Sequence, residues 1–236
     1  MGIQAVILAG GLATRLGELT TKCPKSMVKL LDKPFLTYQL ELLRASGIID
    51  IVLCIGHLGI QIMDTFRDGS KFGMHIRYSA EDKPLGTAGA LKHAESLLAN
   101  TFFVMYGDSY LFLDLPKVMS YFLSQDKLAL ATVFRNQDAY VRSNMVIRGN
   151  MVLEYNKLKK SKDMVYIDYG ASIFTKEALH LVPENHVYSL EDLFIRLIEK
   201  EQLLAFEVND RFYEIGSPQD LKDFEAFVKG QRIIKT

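Results

Sequence analysis

Five short apolar runs dominate the first 135 residues: Ile3–Ala9, Ile51–Ile55, His75–Ser79, Phe102–Tyr106 and Leu128–Phe134. Each is too short for a core helix and rich enough in β-branched and aromatic residues to read as a buried strand. Segments with helical spacing lie between them, at Pro34–Ala45, Leu58–Arg67, Thr87–Leu98 and Leu115–Ser124. The first carries Pro34 at an opening helical position and Gly47 just past its end, the usual asymmetry of helix starts and stops. Strand, helix, strand at this rhythm predicts an α/β fold with a doubly wound, mainly parallel sheet and right-handed crossovers.

The pattern changes after about residue 140, where Met145–Arg148 and Met151–Tyr155 flank the turn dipeptide Gly149-Asn150 and predict a hairpin. A strand Tyr166–Phe174 follows, and the polar stretch NKLKKSKD (156–163) between them reads as a mobile loop. Ser189 with Asp192 offers a capping box to a helix running through Lys200. A last strand pair, Leu203–Val208 and Phe212–Ile215, precedes a closing helix with Ser217 as its cap and Pro218 in its first turn. At 236 residues the chain fits one domain, with residues 1–135 as a core and 136–236 as a smaller hairpin and helix region.

Lys and Arg equal Asp and Glu at 28 each, so bulk charge draws the chain toward neither nucleic acid nor an anionic membrane. The longest apolar runs fall well short of a bilayer span, and the amino-terminal MGIQAVILAGG reads as a strand rather than a signal peptide. Two cysteines without framework spacing, Cys23 and Cys54, suit a reducing cytoplasm. Cys54 and His57 form a C-x-x-H, which reads as a strand thiol and a loop imidazole because a zinc site wants four ligands.

In an open parallel sheet ligands bind beyond the carboxyl ends of the strands, and two strand ends stand out. After the first, Gly10-Gly11 let the backbone approach a ligand, Thr14 adds a hydroxyl and Arg15 a fork suited to phosphate oxygens. Lys25 follows Pro24, which holds its neighbourhood extended. This is the composition of a polyphosphate loop, yet no G-K-[ST] closes it and Ala13 interrupts any G-x-G-x-x-G. After the fourth strand, YGDSY delivers Asp108, a carboxylate suited to a hard cation such as Mg²⁺ beside phosphates.

The stretch LAGGLATRLGELTTKCPKSM resembles the signature of the sugar-1-phosphate nucleotidylyltransferases, L-A-G-G-x-G-T-R-L followed by P-K-P. EDKPLGTAGAL (81–91) is similar to that family's E-x-E-P-L-G-T-A-G-A-L, and YGDS to its metal-binding G-D. YNK (155–157), YIDYGASIF (166–174) and FYEIGSPQDL (212–221) fall in order where the family has F-x-E-K, N-x-G-I-Y and D-I-G-T-P. The resemblance implies a Rossmann-like sheet of the nucleotide-diphospho-sugar transferase type. It also implies a cytoplasmic, Mg²⁺-dependent enzyme whose partners are an NTP and a sugar 1-phosphate, and it leaves the oligomeric state open, a homo-oligomer included.

By resemblance, Arg15 and Lys25 are catalytic, Arg15 meeting the departing pyrophosphate and Lys25 bridging the α-phosphate and the incoming phosphate. The nucleotide falls to Leu8, Ala9, Gly10, Gly11, Ala13, Thr14, Glu81, Pro84, Gly86 and Thr87. The sugar phosphate falls to Tyr106, Gly107, Asn144, Lys157, Asp168 and Gly170, and the metal to Asp108 and Glu214. Four positions depart from the pattern. Ala13 replaces a glycine, at a cost of about 1 kcal/mol if that φ is positive. Ser26 replaces the second proline beside Lys25, Asp168 stands where asparagine is usual, and Glu214 stands for an aspartate.

The PLGTAGAL segment resembles guanylyltransferases acting on mannose or manno-heptose 1-phosphate, and Glu81 is able to accept from N1–H and N2–H₂ of guanine. GTP is therefore slightly preferred, with UTP, CTP or dTTP and another sugar as the alternative. The departures motivate a different class of reading, a catalytically weak regulatory protein that binds nucleotide sugars.

Overall fold

A computed structural model describes residues 2–11 and 23–234. In chain order the strands are β1 (Gln4–Leu8), β2 (Lys29–Leu30), β3 (Lys33–Pro34), β4 (Asp50–Ile55), β5 (His75–Ala80), β6 (Thr101–Tyr106) and β7 (Ser109–Tyr110). They continue with β8 (Ala129–Arg135), β9 (Met145–Arg148), β10 (Met151–Tyr155), β11 (Tyr166–Thr175), β12 (Leu203–Val208) and β13 (Tyr213–Glu214). The helices are α1 (Phe35–Ala45), α2 (Gly59–Phe66), α3 (Gly86–His93), α4 (Leu115–Leu123), α5 (Leu190–Glu199) and α6 (Pro218–Ile234). Both predicted caps are present: Ser189 and Asp192 close a reciprocal capping box on α5, and Ser217 Oγ accepts from the Asp220 N–H at the start of α6. No helix among the described residues is long and apolar enough to cross a membrane.

Among the described residues nine strands form one sheet in the order β5-β4-β1-β6-β11-β8-β12-β10-β9. Alternate residues feed two cores. Ile7, Leu53 and Phe103 point to the face covered by α1, α2 and α4. Val6, Val52 and Val104 point to the face covered by α3 and α5. Burial on both faces is why β1 reads QAVIL, almost without polar interruption.

The sheet is mixed, which corrects the expectation of a mainly parallel one. β5, β4, β1 and β6 pair in parallel, but β11 lies antiparallel between β6 and β8. A parallel return needs a crossover of a dozen or more residues, usually a helix. After β8 the chain instead makes the β9–β10 hairpin, turning at Gly149 with φ +60°, and comes back without a helix. The second correction concerns the predicted final strand pair. β12 has both edges taken, by β8 and β10, so β13 pairs with β7 in a separate two-stranded ribbon, Glu214 opposite Ser109 and Tyr213 opposite Tyr110.

Candidate active site

β1 and β6 end side by side, and the chain after each is fixed by a backbone contact. The Ala9 N–H donates to Cys54 O at 2.8 Å, and the Gly107 N–H donates to Leu8 O at 3.0 Å. A Cβ built on Gly107 would lie 2.7 Å from Leu8 O and 3.0 Å from Ala9 Cα, so only glycine permits the close approach that precedes Asp108. Beneath this turn Gln39, on the buried face of α1, donates its amide to Tyr106 O at 2.8 Å and Ser109 O at 2.7 Å. Asp108 is thus held from both sides. Its Oδ2 accepts from Lys25 Nζ at 2.6 Å, Lys25 being the first residue of a short 3₁₀ turn that follows extended Pro24.

A cavity of about 350 Å³ opens at these strand ends. Its lining includes Leu8, Ala9, Gly10 and Gly11 from the first strand end, Glu81, Pro84, Gly86 and Thr87 from the segment before α3, and Lys25, Tyr106, Gly107 and Asp108. Glu81 stands in this wall. Its Oε2 accepts from the Leu85 N–H at 3.2 Å. A Cβ on Gly10 or Gly56 would come within 3.3 or 3.1 Å of Oε1, so two bare backbones make room for the carboxylate. Burial pushes its pKa above the ordinary carboxylate range. Thr87 does structural work as well, its hydroxyl accepting the Leu190 N–H at 2.7 Å and tying α3 to α5. Gly86, at φ +75°, lies where a Cβ would meet Tyr188 O at 2.6 Å.

A second cavity of about 180 Å³ adjoins the first through Tyr106, and Asn144, Lys157, Asp168, Gly170 and Glu214 line it. Every residue assigned to the sugar phosphate is here except Gly107, which lines the first cavity. Asp168 Oδ1 accepts from the Gly170 N–H at 3.0 Å and Oδ2 from the Tyr106 hydroxyl at 3.3 Å. Burial raises the Asp168 pKa. Burial, joined by the Asp168 charge, also raises the Tyr106 and Tyr155 phenols, which therefore stay protonated. Lys157 lies 3.9 Å from Glu191 Oε2 and is half exposed.

The β7–β13 ribbon brings Glu214 to the junction of the two cavities, its exposed carboxylate near Lys25. Gly216 leaves the space they share: a Cβ there would lie 3.3 Å from Asp220 Oδ2, 3.8 Å from Glu214 Oε2 and 3.9 Å from Lys25 Nζ. Among the described residues no three His, Cys, Asp or Glu side chains gather closely enough to hold a metal unaided. Cys54 is a buried strand thiol, pushed up to about 12 by burial and the Glu81 charge, and His57 sits exposed in the following turn, as the C-x-x-H reading expected. Ala13, Thr14 and Arg15 lie outside the described residues.

Sequence reasoning missed Gln39 and Asp220. Gln39 had a signal, since it falls in helical register with Leu36, Leu40 and Leu43, a polar residue on an otherwise apolar face. Asp220 had none that distinguishes it from an ordinary acid in a first helical turn.

The comparisons with known proteins agree with this arrangement. A family model described as nucleotidyl transferase matches residues 4–231. The D-glycero-alpha-D-manno-heptose 1-phosphate guanylyltransferase of Campylobacter jejuni is 32% identical over 223 residues, which cover 94% of this chain and 98% of that protein. The UTP–glucose-1-phosphate uridylyltransferase of Synechocystis is 30% identical over 239 residues, covering 92% of this chain and 61% of a longer protein. The crystal structure of HddC from Yersinia pseudotuberculosis complexed with GMP-PN superposes with a TM-score of 0.76 at 29% identity, covering 94% of this chain and 97% of that one.

Proposed function

The chain belongs to the nucleotidyl transferase family, and on that premise we propose that it moves a nucleoside monophosphate from an NTP to a sugar 1-phosphate and releases pyrophosphate. GTP with a manno-heptose or mannose 1-phosphate is the preferred pair. The observation that carries this reading is the meeting of the two cavities at Tyr106, with Lys25, Asp108 and Glu214 around the junction. One cavity suits a nucleotide and the other a phosphorylated sugar.

The reaction is an in-line displacement. An oxygen of the sugar phosphate bonds to the α-phosphorus, the bond to the bridging oxygen breaks, and the electron pair leaves on pyrophosphate. Two polyanions must approach, so positioning and fixed cations supply most of the rate. The backbone at Leu8, Ala9 and Gly10 meets the base, and Glu81, as a carboxylate, accepts from N1–H and N2–H₂ of guanine. Lys25 exchanges the Asp108 carboxylate for phosphate oxygens, spanning the α-phosphate and the incoming phosphate. Lys157, half exposed at the mouth of the second cavity, takes the sugar phosphate, and by resemblance Arg15 steadies the departing pyrophosphate.

The donor set suits Mg²⁺. Two carboxylates, Asp108 and Glu214, stand near the junction, and Mg²⁺ commonly takes one or two carboxylates from protein and the remaining oxygens from phosphates and water. These two residues would hold it, and when bound it serves as template and Lewis acid for the phosphate oxygens. Release of Asp108 from Lys25 frees both groups for these roles.

A second reading, UTP with glucose 1-phosphate, is favoured by the likeness to the Synechocystis uridylyltransferase. Pyrophosphate release separates the two when GTP, UTP, CTP and dTTP are each offered with mannose, manno-heptose and glucose 1-phosphates. Lys25→Ala and Asp108→Ala are expected to lower turnover at least about a hundredfold. Both variants are expected to keep a cooperative thermal transition, since neither Lys25 nor Asp108 belongs to any of the three buried apolar clusters. Silence from folded wild-type protein across the panel would sink the proposed reaction.

A further inference from the structure

We propose that the Ser26 hydroxyl binds the nucleotide, donating its hydrogen to an oxygen of the phosphate chain of an NTP in the first cavity. The proposal rests on the reaction proposed above, which supplies the NTP. It concerns a position where the P-K-P pattern has a proline, a residue with no side-chain donor.

Three side-chain oxygens are buried without a hydrogen-bond partner among the described residues: Ser26 Oγ, Gln39 Oε1 and Asn144 Oδ1. Of these residues Ser26 alone lines the first cavity, and it is 1% exposed. A buried hydroxyl that makes no hydrogen bond has lost its water and gained nothing in return, so native structures rarely keep one. Folding alone would favour alanine, which fills nearly the same space without the orphaned group. The turn that carries Ser26 is fixed on both sides, the Met27 N–H donating to Pro24 O at 2.9 Å and the Val28 N–H to Lys25 O at 3.1 Å. The hydroxyl therefore stays beside the cavity, and what it lacks is a partner there.

Its neighbour indicates which partner. Lys25 lines the same cavity, and in the proposed reaction it gives up Asp108 for phosphate oxygens. An ammonium and a hydroxyl on consecutive residues of one turn form a pair of donors. They match the part of an NTP richest in acceptors, its phosphate chain. A serine side chain has three staggered positions about its Cα–Cβ bond, and its hydroxyl hydrogen turns freely, so the group is able to follow Lys25 toward the ligand. A hydrogen bond to an anionic oxygen is roughly twice as strong as one between neutral groups. Binding thus recovers what the empty protein gives up at this position.

Ser26→Ala tests this by moving stability and affinity in opposite directions. Calorimetric titrations of wild type and variant with guanosine, GMP, GDP and GTP, and with the matching uridine series, separate the phosphates from base and ribose. Ser26→Ala is expected to bind the triphosphate that wild type prefers at least about fivefold more weakly, and its nucleoside within about twofold of wild type. Without nucleotide the variant is expected to melt about 2–4 °C above wild type, because an unpaired hydroxyl has left the interior.

A triphosphate loss no larger than the nucleoside loss would overturn the proposal. So would a variant that melts below wild type without nucleotide, the mark of a hydroxyl satisfied inside the fold, as by a buried water. Wild-type protein that binds neither triphosphate would overturn it as well. Calorimetry needs no turnover, so absent pyrophosphate release would count against the reaction while the difference between triphosphate and nucleoside still decides the role of Ser26.

Discussion

Glu81 shows what a carboxylate in a cavity wall costs a fold. Its carboxylate is partly desolvated against Gly10 and Gly56, and burial lifts its pKa above that of the unfolded chain. A group shifted upward contributes stability that is full below the unfolded pKa and lost as pH rises through the folded one. At neutral pH the ionised Glu81 is therefore a net cost. Glu81→Gln keeps an acceptor for the Leu85 N–H and removes the buried charge, so its thermal midpoint should exceed that of wild type at pH 7. The gain should shrink on acidification through the raised pKa and vanish below the ordinary carboxylate range, as melts between about pH 3 and pH 8 would show. The same variant should lose at least about tenfold in GTP affinity, since an amide cannot accept from both guanine donors. A variant less stable than wild type at pH 7 with unchanged GTP affinity would remove Glu81 from the nucleotide site. Lys25 was legible in sequence because it follows Pro24 within a motif, and Glu81 because it opens the EDKPLGTAGAL segment. The need for glycine at 107 was not, because the atom it must avoid, Leu8 O, lies 99 positions away in the chain.

At the scale of elements, what could be read was local and what could not was pairing. Both helix caps, the β9–β10 hairpin with its Gly149 turn and the strand rhythm of the first half are written within a few residues of where they act. The insertion of β11 between β6 and β8 depends on which edges remain free after the first strands have paired, and no short window records that. The same holds for β13, whose pairing with β7 carries Glu214 to the junction. α1 shows how an element aims a distant group. Its apolar face buries Leu36, Leu40 and Leu43, and Gln39 on that face supplies both donors to the turn bearing Asp108. Gln39→Leu leaves Tyr106 O and Ser109 O without those donors, at a cost of roughly 1–3 kcal/mol. Part of this is offset because Gln39 Oε1 is itself buried without a partner among the described residues. Turnover should fall more than nucleotide affinity, because the turn positions Asp108 rather than the base. Denaturant titration with steady-state kinetics would check both, and a nucleotide KM that rises as steeply as kcat falls would assign the turn a different role.

Across the whole molecule the two cavities have different supports. The first cavity, proposed for the nucleotide, stands on β1, β4, β5 and β6, whose side chains belong to the two large cores. The residues at the junction lean on a third, smaller cluster in which Phe35 and Tyr38 of α1, Ile215 after β13 and Phe224 of α6 are buried together, with Tyr110, Tyr213 and Phe227 packed against them. Phe224 is its centre, with ring centroids 5.1 Å from Tyr110, 5.2 Å from Phe35 and 5.4 Å from Tyr38. α6 therefore packs on the ribbon whose β7 strand directly follows Asp108 and whose β13 strand carries Glu214. Phe224→Ala opens a cavity at that point, and truncations of buried phenylalanine cost about 3–5 kcal/mol. The loss should be unevenly felt. Calorimetric affinity for GTP should stay within about threefold of wild type, because its cavity does not touch the cluster, while Mg²⁺-dependent turnover drops at least about tenfold as the two carboxylates lose their spacing. Raising Mg²⁺ should recover part of that turnover in Phe224→Ala and none in Asp108→Ala, which has lost the carboxylate rather than its position. A Phe224→Ala protein that unfolds cooperatively, binds GTP normally and turns over at the wild-type rate would show that the sheet alone fixes the junction and that α6 only covers it.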